Sequence, residues 1–106
     1  MYTYTEEMPI YPGGPDQLLT DISRATKYPA AALRKQEQGK VYIHFIVRPD
    51  GMMADVVVQK GVTSTLDKAA VEAVEQLGHN KRWQPGFQNR RAVSVSFTVP
   101  IAFHYK

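Results

Sequence analysis

Between Ala92 and Phe103 the side chains alternate without interruption. Val93, Val95, Phe97, Val99, Ile101 and Phe103 fall on one side of an extended chain, and Ala92, Ser94, Ser96, Thr98, Pro100 and Ala102 on the other. A period of two is that of a strand with one buried and one wet face, so this run requires a sheet and a layer to cover it. Pro100 has no N–H to give a ladder, which assigns the strand to a sheet edge. An edge of this length, roughly 30 Å or more at about 3.4 Å per residue, presents unpaired main-chain groups to which another strand can add.

The partners of that strand lie upstream. From Lys40 onward Val41, Ile43, Phe45 and Val47 alternate with Tyr42, His44, Ile46 and Arg48; Pro49-Asp50-Gly51 supplies a turn; and the run from Ala54 to Lys60, with Val56, Val57 and Val58, returns as the second arm of a hairpin. Ser64 and Asp67 have the spacing of a helix cap, and Leu66, Ala69, Ala70, Ala73, Val74 and Leu77 form one apolar stripe that Gly78 is expected to end. Residues 79–91 are polar and basic, broken by Trp83, Pro85-Gly86 and Phe87, and read as a loop with aromatic anchors. At the other end, Pro9, Pro12, Gly13, Gly14 and Pro15 forbid a helix in residues 1–15, which read as a leader or linker end before a domain spanning 16–106. Asp16 offers an N-cap for a short helix over 16–26, and Pro29 starts a second one from Ala30 to Gln38, stopped by Gly39. The order helix, helix, strand, strand, helix, strand predicts an α+β domain: a small three-stranded antiparallel sheet in the order 2-1-3, with helices packed on one face.

Most chemistries lack their residues here. The chain has 106 residues, the size of a single domain with a modest core, and no cysteine, so disulfides, thiolate catalysis and cysteine-ligated metals are excluded. Nothing approaches the roughly 18 consecutive apolar residues of a membrane-spanning helix, and the first residues lack a cationic start followed by an apolar block. His44, His79 and His104 are the only near-neutral bases, without a nucleophile motif, a phosphate-cradling glycine loop or a third metal ligand near by in sequence. His44 and His104 could share the wet sheet face, yet neither an enzyme nor a metal or other cofactor is expected. Thirteen Lys and Arg against ten Asp and Glu leave a net charge of +3, too thin a surplus to indicate a nucleic acid. The run from His79 to Trp83 and the pair Arg90-Arg91 could contact phosphates while Trp83 and Phe87 stack on bases; alternatively, Trp83 beside Pro85-Gly86 plugs the end of the core. What remains is an extended peptide adding to the strand edge. Alanine at Ser94 or Ser96 should then change little, and proline more, wherever the N–H it removes faces the peptide. The strand formers Tyr2-Thr3-Tyr4-Thr5 could occupy the same edge, in their own or a neighbouring molecule, or be a frayed leader.

Taken together, Tyr28-Pro29 with Ala31 and Leu33, Gly39-Lys40-Val41, Phe45-x-Val47-x-Pro49-Asp50-Gly51, Leu66-Asp67-x-Ala69-Ala70, Trp83-x-Pro85-Gly86 and Val93-x-Val95-x-Phe97-x-Val99-Pro100 strongly resemble the TonB C-terminal domain, over nearly the whole chain from about residue 16. The leading Glu7-Met8-Pro9-x-x-Pro12-Gly13-Gly14 is similar to the version found in TonB-like proteins of the Bacteroidetes type. The resemblance implies the periplasmic end of an energy transducer that is anchored in the inner membrane and driven by an ExbB/ExbD-like motor. That end binds the TonB box of outer-membrane receptors by strand addition and transmits proton-motive force for uptake of siderophores or other nutrients. By position, the peptide contacts would come from Arg91, Val93, Ser94, Val95, Ser96, Phe97, Thr98, Val99 and Ile101, with Ala25, Thr26, Lys27 and Tyr28 alongside. A second copy of the chain is a further candidate partner. Family members carry an N-terminal transmembrane helix and a Pro-rich spacer, so the chain is expected to be a C-terminal piece preceded by an added Met1. The same domain fused to a membrane metallopeptidase would instead make it a peptide-binding envelope sensor or adaptor.

Overall fold

The computed structural model describes residues 2–80 and 82–104; Met1 and Lys81, both used in the sequence reading, lie outside the described residues. Three strands, β1 (Gly39–Val47), β2 (Met53–Lys60) and β5 (Val95–Phe103), form an antiparallel sheet in the order β2-β1-β5. That is the order expected from sequence. Helices α1 (Pro15–Ala25), α2 (Ala30–Arg34) and α3 (Ser64–Asn80) precede and interrupt it, and β3 (Gly86–Gln88) and β4 (Arg91–Val93) form a separate small hairpin. The domain is elongated: its radius of gyration is 14.6 Å, against about 13 Å for a compact chain of this length.

The alternation of β1 and β5 builds the core. Val41, Ile43, Phe45 and Val47 are buried against Val95, Ile101 and Phe103, and from the helix layer Leu66, Ala70, Ala73, Val74 and Leu77 of α3 and Ala32 of α2 close over them. Each large side chain so buried contributes about 1.5–3 kcal/mol. The alanines bring the α3 backbone close to the sheet, and Gly78 extends this. A Cβ there would stand 3.3 Å from the Met53 Cβ, so the glycine serves close approach, and the helix runs two residues past the stop expected at Gly78.

Other helix boundaries moved for local reasons. The α3 cap is Thr63, one residue before the expected Ser64: its Oγ1 accepts from the Leu66 N–H (3.2 Å), while Asp67 reaches back to the Val62 N–H (2.8 Å). Gly14 (φ 86) precedes α1 without a side-chain cap, so Asp16 lies in the first turn, where its charge meets the helix dipole. The second helix ends at Arg34 rather than Gln38, because Gln36 turns left-handed (φ 57) and the Glu37 N–H folds back onto the Ala32 carbonyl (2.9 Å). In β2, Asp55 is also left-handed (φ 52), in a stretch where the register with β1 slips between His44 and Ile46.

The expected single strand from Ala92 to Phe103 is broken at Ser94. Val95 pairs with Val47, the last residue of β1; beyond it β1 has turned into Pro49-Asp50-Gly51 and offers no partner. The chain therefore pairs backwards with β3, so part of the expected loop 79–91 is a hairpin. Its two-residue turn puts both Asn89 (φ 52) and Arg90 (φ 65) in the left-handed region, as a type I′ turn requires. Arginine is strained there, so Arg90→Gly is expected to raise stability by about 0.5–1 kcal/mol. Urea unfolding checks this, and a loss of stability would contradict it.

Candidate functional site

The leader is strapped along the small hairpin. Glu7 exchanges backbone hydrogen bonds with Phe87 (3.1 and 2.8 Å) and Ile10 with Gln84 (2.9 Å each), both antiparallel, while the Glu6 carboxylate accepts from the Asn89 N–H (2.8 Å). Gly86 permits the crossing: a Cβ there would lie 2.8 Å from Val95 Cγ2 and 3.1 Å from the Glu7 carbonyl oxygen. Tyr11 is buried, edge-on to Trp83 at 5.3 Å, and its hydroxyl donates to Asp21 (2.5 Å), whose other oxygen accepts from Gln17 (2.8 Å).

Burial first, then the hydrogen bond to Asp21 and its charge, raise the Tyr11 phenol well above the ordinary tyrosine range. A raised pKa means that the neutral form is the one the fold favours. The stability it lends is intact below about pH 10 and drains away as pH rises further, at up to about 1.4 kcal/mol per pH unit. Tyr11→Phe should cost about 1 kcal/mol at neutral pH and then lose less than the parent above pH 10. Urea titrations of both proteins between neutral and strongly alkaline pH measure this; identical alkaline slopes would exclude it.

At its start the leader touches β5. The Tyr2 N–H donates to the Ser94 carbonyl (3.2 Å), and the Tyr2 carbonyl accepts from the Ser96 N–H (2.8 Å), a parallel bridge centred on Val95. Because the Ser96 N–H points away from β1, the even positions of β5 direct their main-chain groups to the open side and the odd positions pair with β1. Thr98 therefore presents both N–H and C=O at the edge, Pro100 only its C=O, and Ala102 both again. Among the described residues only Tyr2 pairs with this side of β5.

A groove of about 320 Å³ follows the far half of this edge, with Leu19, Ile22 and Thr26 on one bank and Pro100, Ile101 and Phe103 on the other. Tyr28 lines it as well, its ring edge-on to Phe103 at 5.5 Å and its hydroxyl donating to the Glu37 carbonyl. Of the four residues expected beside a bound peptide, Thr26 and Tyr28 thus face β5. Ala25 and Lys27 line a separate depression of about 270 Å³ with Ala69, Glu72 and Gln76 of α3. Arg91 and Val93 belong to β4, paired to β3, and so stand off the edge of the three-stranded sheet. Ser94 and Ser96 meet Tyr2; Val95, Phe97, Val99 and Ile101 turn their main-chain groups to β1 and their side chains to the core face.

The other sequence candidates separate. Trp83 is 4% exposed, between Tyr11, Phe45 (5.8 Å) and Phe97 (5.5 Å), so it plugs the core end. His44 pairs with Thr98, six positions from His104, about 20 Å along a strand. Among the described residues no three His, Cys, Asp or Glu side chains converge on a metal-sized site. Periodicity misses Tyr11, although an aromatic between two prolines signals that the leader is anchored.

The family model described as Gram-negative bacterial TonB protein C-terminal matches residues 24–105. Protein TonB of Helicobacter pylori (strain ATCC 700392 / 26695) is 30% identical over 91 residues, which is 85% of this chain and 30% of that protein. Protein TonB of Haemophilus influenzae is 32% identical over 80 residues, 74% of this chain and 30% of that one. The chain thus spans about 30% of the length of these curated relatives. Among solved structures, the Helicobacter pylori TonB C-terminal domain superposes with a TM-score of 0.65 at 28% identity, covering 90% of this chain and 87% of that one. The Pseudomonas aeruginosa domain, at 22% identity, shares the fold with a TM-score of 0.55 over 76% of this chain and 79% of that one.

Proposed function

The chain belongs to the family of Gram-negative bacterial TonB protein C-terminal domains, and from that premise we propose that it is the periplasmic receptor-binding end of a TonB-like energy transducer. It takes the TonB box of an outer-membrane receptor as an added strand on β5, and a proton-driven ExbB/ExbD-like motor, reached through an inner-membrane anchor, draws on the receptor for nutrient uptake. No helix among the described residues is long and apolar enough to cross a membrane, so this role assigns anchor and motor contacts to other parts of such a transducer.

The observation that carries the reading is the outer edge of β5. Among the described residues nothing pairs with the outward main-chain groups of Thr98, and from Pro100 onward the strand lines a groove together with Thr26 and Tyr28. A short added strand makes a few main-chain hydrogen bonds of about 0.5–1.5 kcal/mol each, offset by association entropy, which puts affinity near micromolar, about −8 kcal/mol. A coupler that must engage and release many receptors needs that weakness.

An NMR titration of the labelled domain with TonB-box peptides tests the proposal. Shifts should concentrate in residues 96–102 and at Thr26 and Tyr28; shifts confined to other surfaces would refute it. Removing residues 1–6 frees the Ser94 and Ser96 groups held by Tyr2 and should tighten peptide binding severalfold. Unchanged affinity would mean that Tyr2 does not compete.

A further inference from the structure

Beside the nearer half of the β5 edge lies a second cavity, of about 220 Å³, and it differs in character from the groove. Its lining is apolar: Phe97 and Val99 on β5, Leu18 on α1, Tyr11 of the leader, and Phe45 and Trp83 from the core. Phe97 and Val99 are the odd residues on either side of Thr98, whose main-chain groups point outward at the same level. A strand added there lies about 4.7–4.9 Å from β5. The side chains on its inner face project to the same side of the sheet as Phe97 and Val99, which is the side on which the cavity lies. Main-chain pairing and the cavity are therefore reached by one and the same strand.

Size and chemistry narrow the occupant. An apolar cavity of about 150 Å³ is enough to take up benzene, so this one admits an aromatic ring or a large aliphatic side chain and leaves an alanine largely without contacts. Trp83, 4% exposed, closes the cavity on the core side with Phe45. The leader itself is not the occupant. It is tied down at Tyr2, Glu7 and Ile10, and its residues Pro9, Ile10 and Tyr11 form the wall of the cavity with Pro15 and Leu18 of α1 instead. That wall lies outside residues 24–105, the stretch that the family model matches.

We propose that this cavity selects the added strand by one bulky apolar side chain, an aromatic ring above all, inserted between the leader and β5. The inference rests on strand addition to β5 and adds to it a side-chain specificity that the leader makes possible. A peptide is then recognised twice, by its backbone at Thr98 and by a single residue facing the core.

The experiment uses the whole chain and a host heptapeptide, acetyl-Thr-Val-Thr-X-Thr-Val-Thr-amide, in which X is Ala, Leu, Phe or Tyr. Affinity should rise at least about tenfold from the Ala to the Phe peptide. The indole N–H resonance of Trp83, the only tryptophan, should move with the aromatic peptides and stay still with the alanine one. Leu18→Phe, which fills the cavity from the helix side, should erase the ranking while the Ala peptide still shifts residues 96–102. Equal affinity for all four peptides, with β5 shifted by each, would overturn the cavity while leaving strand addition in place. Binding of none at β5 would overturn both.

Discussion

Trp83→Ala is expected to lower the unfolding free energy by about 3–5 kcal/mol, the range for removing a large aromatic from a packed core. Three rings, of Tyr11, Phe45 and Phe97, lie within 5.8 Å of the indole and would all lose contacts together. For a domain of this size each kcal/mol is about 4–8 °C of melting temperature, so the loss should be at least about 12 °C. Trp83→Phe separates two contributions. It removes part of the volume but also the unpartnered Nε1–H, whose burial alone costs about 1–3 kcal/mol. Its net cost should therefore fall well below that of alanine, to about 1–2 kcal/mol. Thermal and urea unfolding of both variants check this, and equal losses would mean that the indole N–H is satisfied in the folded protein.

For binding, the largest effect is expected at Thr98. Thr98→Pro removes the N–H that faces the open side and leaves Pro100, also without one, two residues further on. The edge then has no donor between Ser96, which is held by Tyr2, and Ala102. Peptide affinity should fall at least about tenfold, which is 1.4 kcal/mol or the net worth of one or two main-chain bonds. Thr98→Ala keeps the backbone, loses only the side-chain bond to Gln59 (2.7 Å), and should change affinity less than about twofold. Calorimetric titration distinguishes them; similar losses from both would show recognition led by side chains. The backbone geometry also revises the expectation at Ser96, since proline there removes first the contact with Tyr2.

What the sequence revealed follows from what periodicity can carry. The alternation in β1 and β5 and the stripe on α3 each record one buried face, and together with the proline in β5 they were enough to order the sheet. Periodicity does not record which neighbour a strand pairs with, so the break at Ser94 and the hairpin with β3 were invisible. Its turn, Asn89-Arg90, also lacks the glycine that would have marked it. The anchoring of residues 7–11 is illegible in the sequence for a related reason. Pro9, Pro12 and the glycine pair argue correctly against helix, yet the bonds of Glu7 and Ile10 to the hairpin need neither helix nor a regular strand. Thr26 and Tyr28, expected as contacts from resemblance alone, line the β5 groove, whereas Ala25 and Lys27, expected on the same ground, line the depression against α3.

A three-stranded sheet has two outer strands, and the left-handed Asp55 makes them unequal. On β2 the slipped register spoils the even spacing of donors and acceptors, and a charged side chain sits at the irregularity. On β5 the ladder with β1 runs unbroken from Val95 to Phe103. A sheet with two regular margins can pass its pattern from molecule to molecule and grow without limit; one with a single regular margin is full after one guest. Asp55 thus leaves β5 as the one margin with an unbroken ladder behind it, which limits edge-to-edge growth of the sheet.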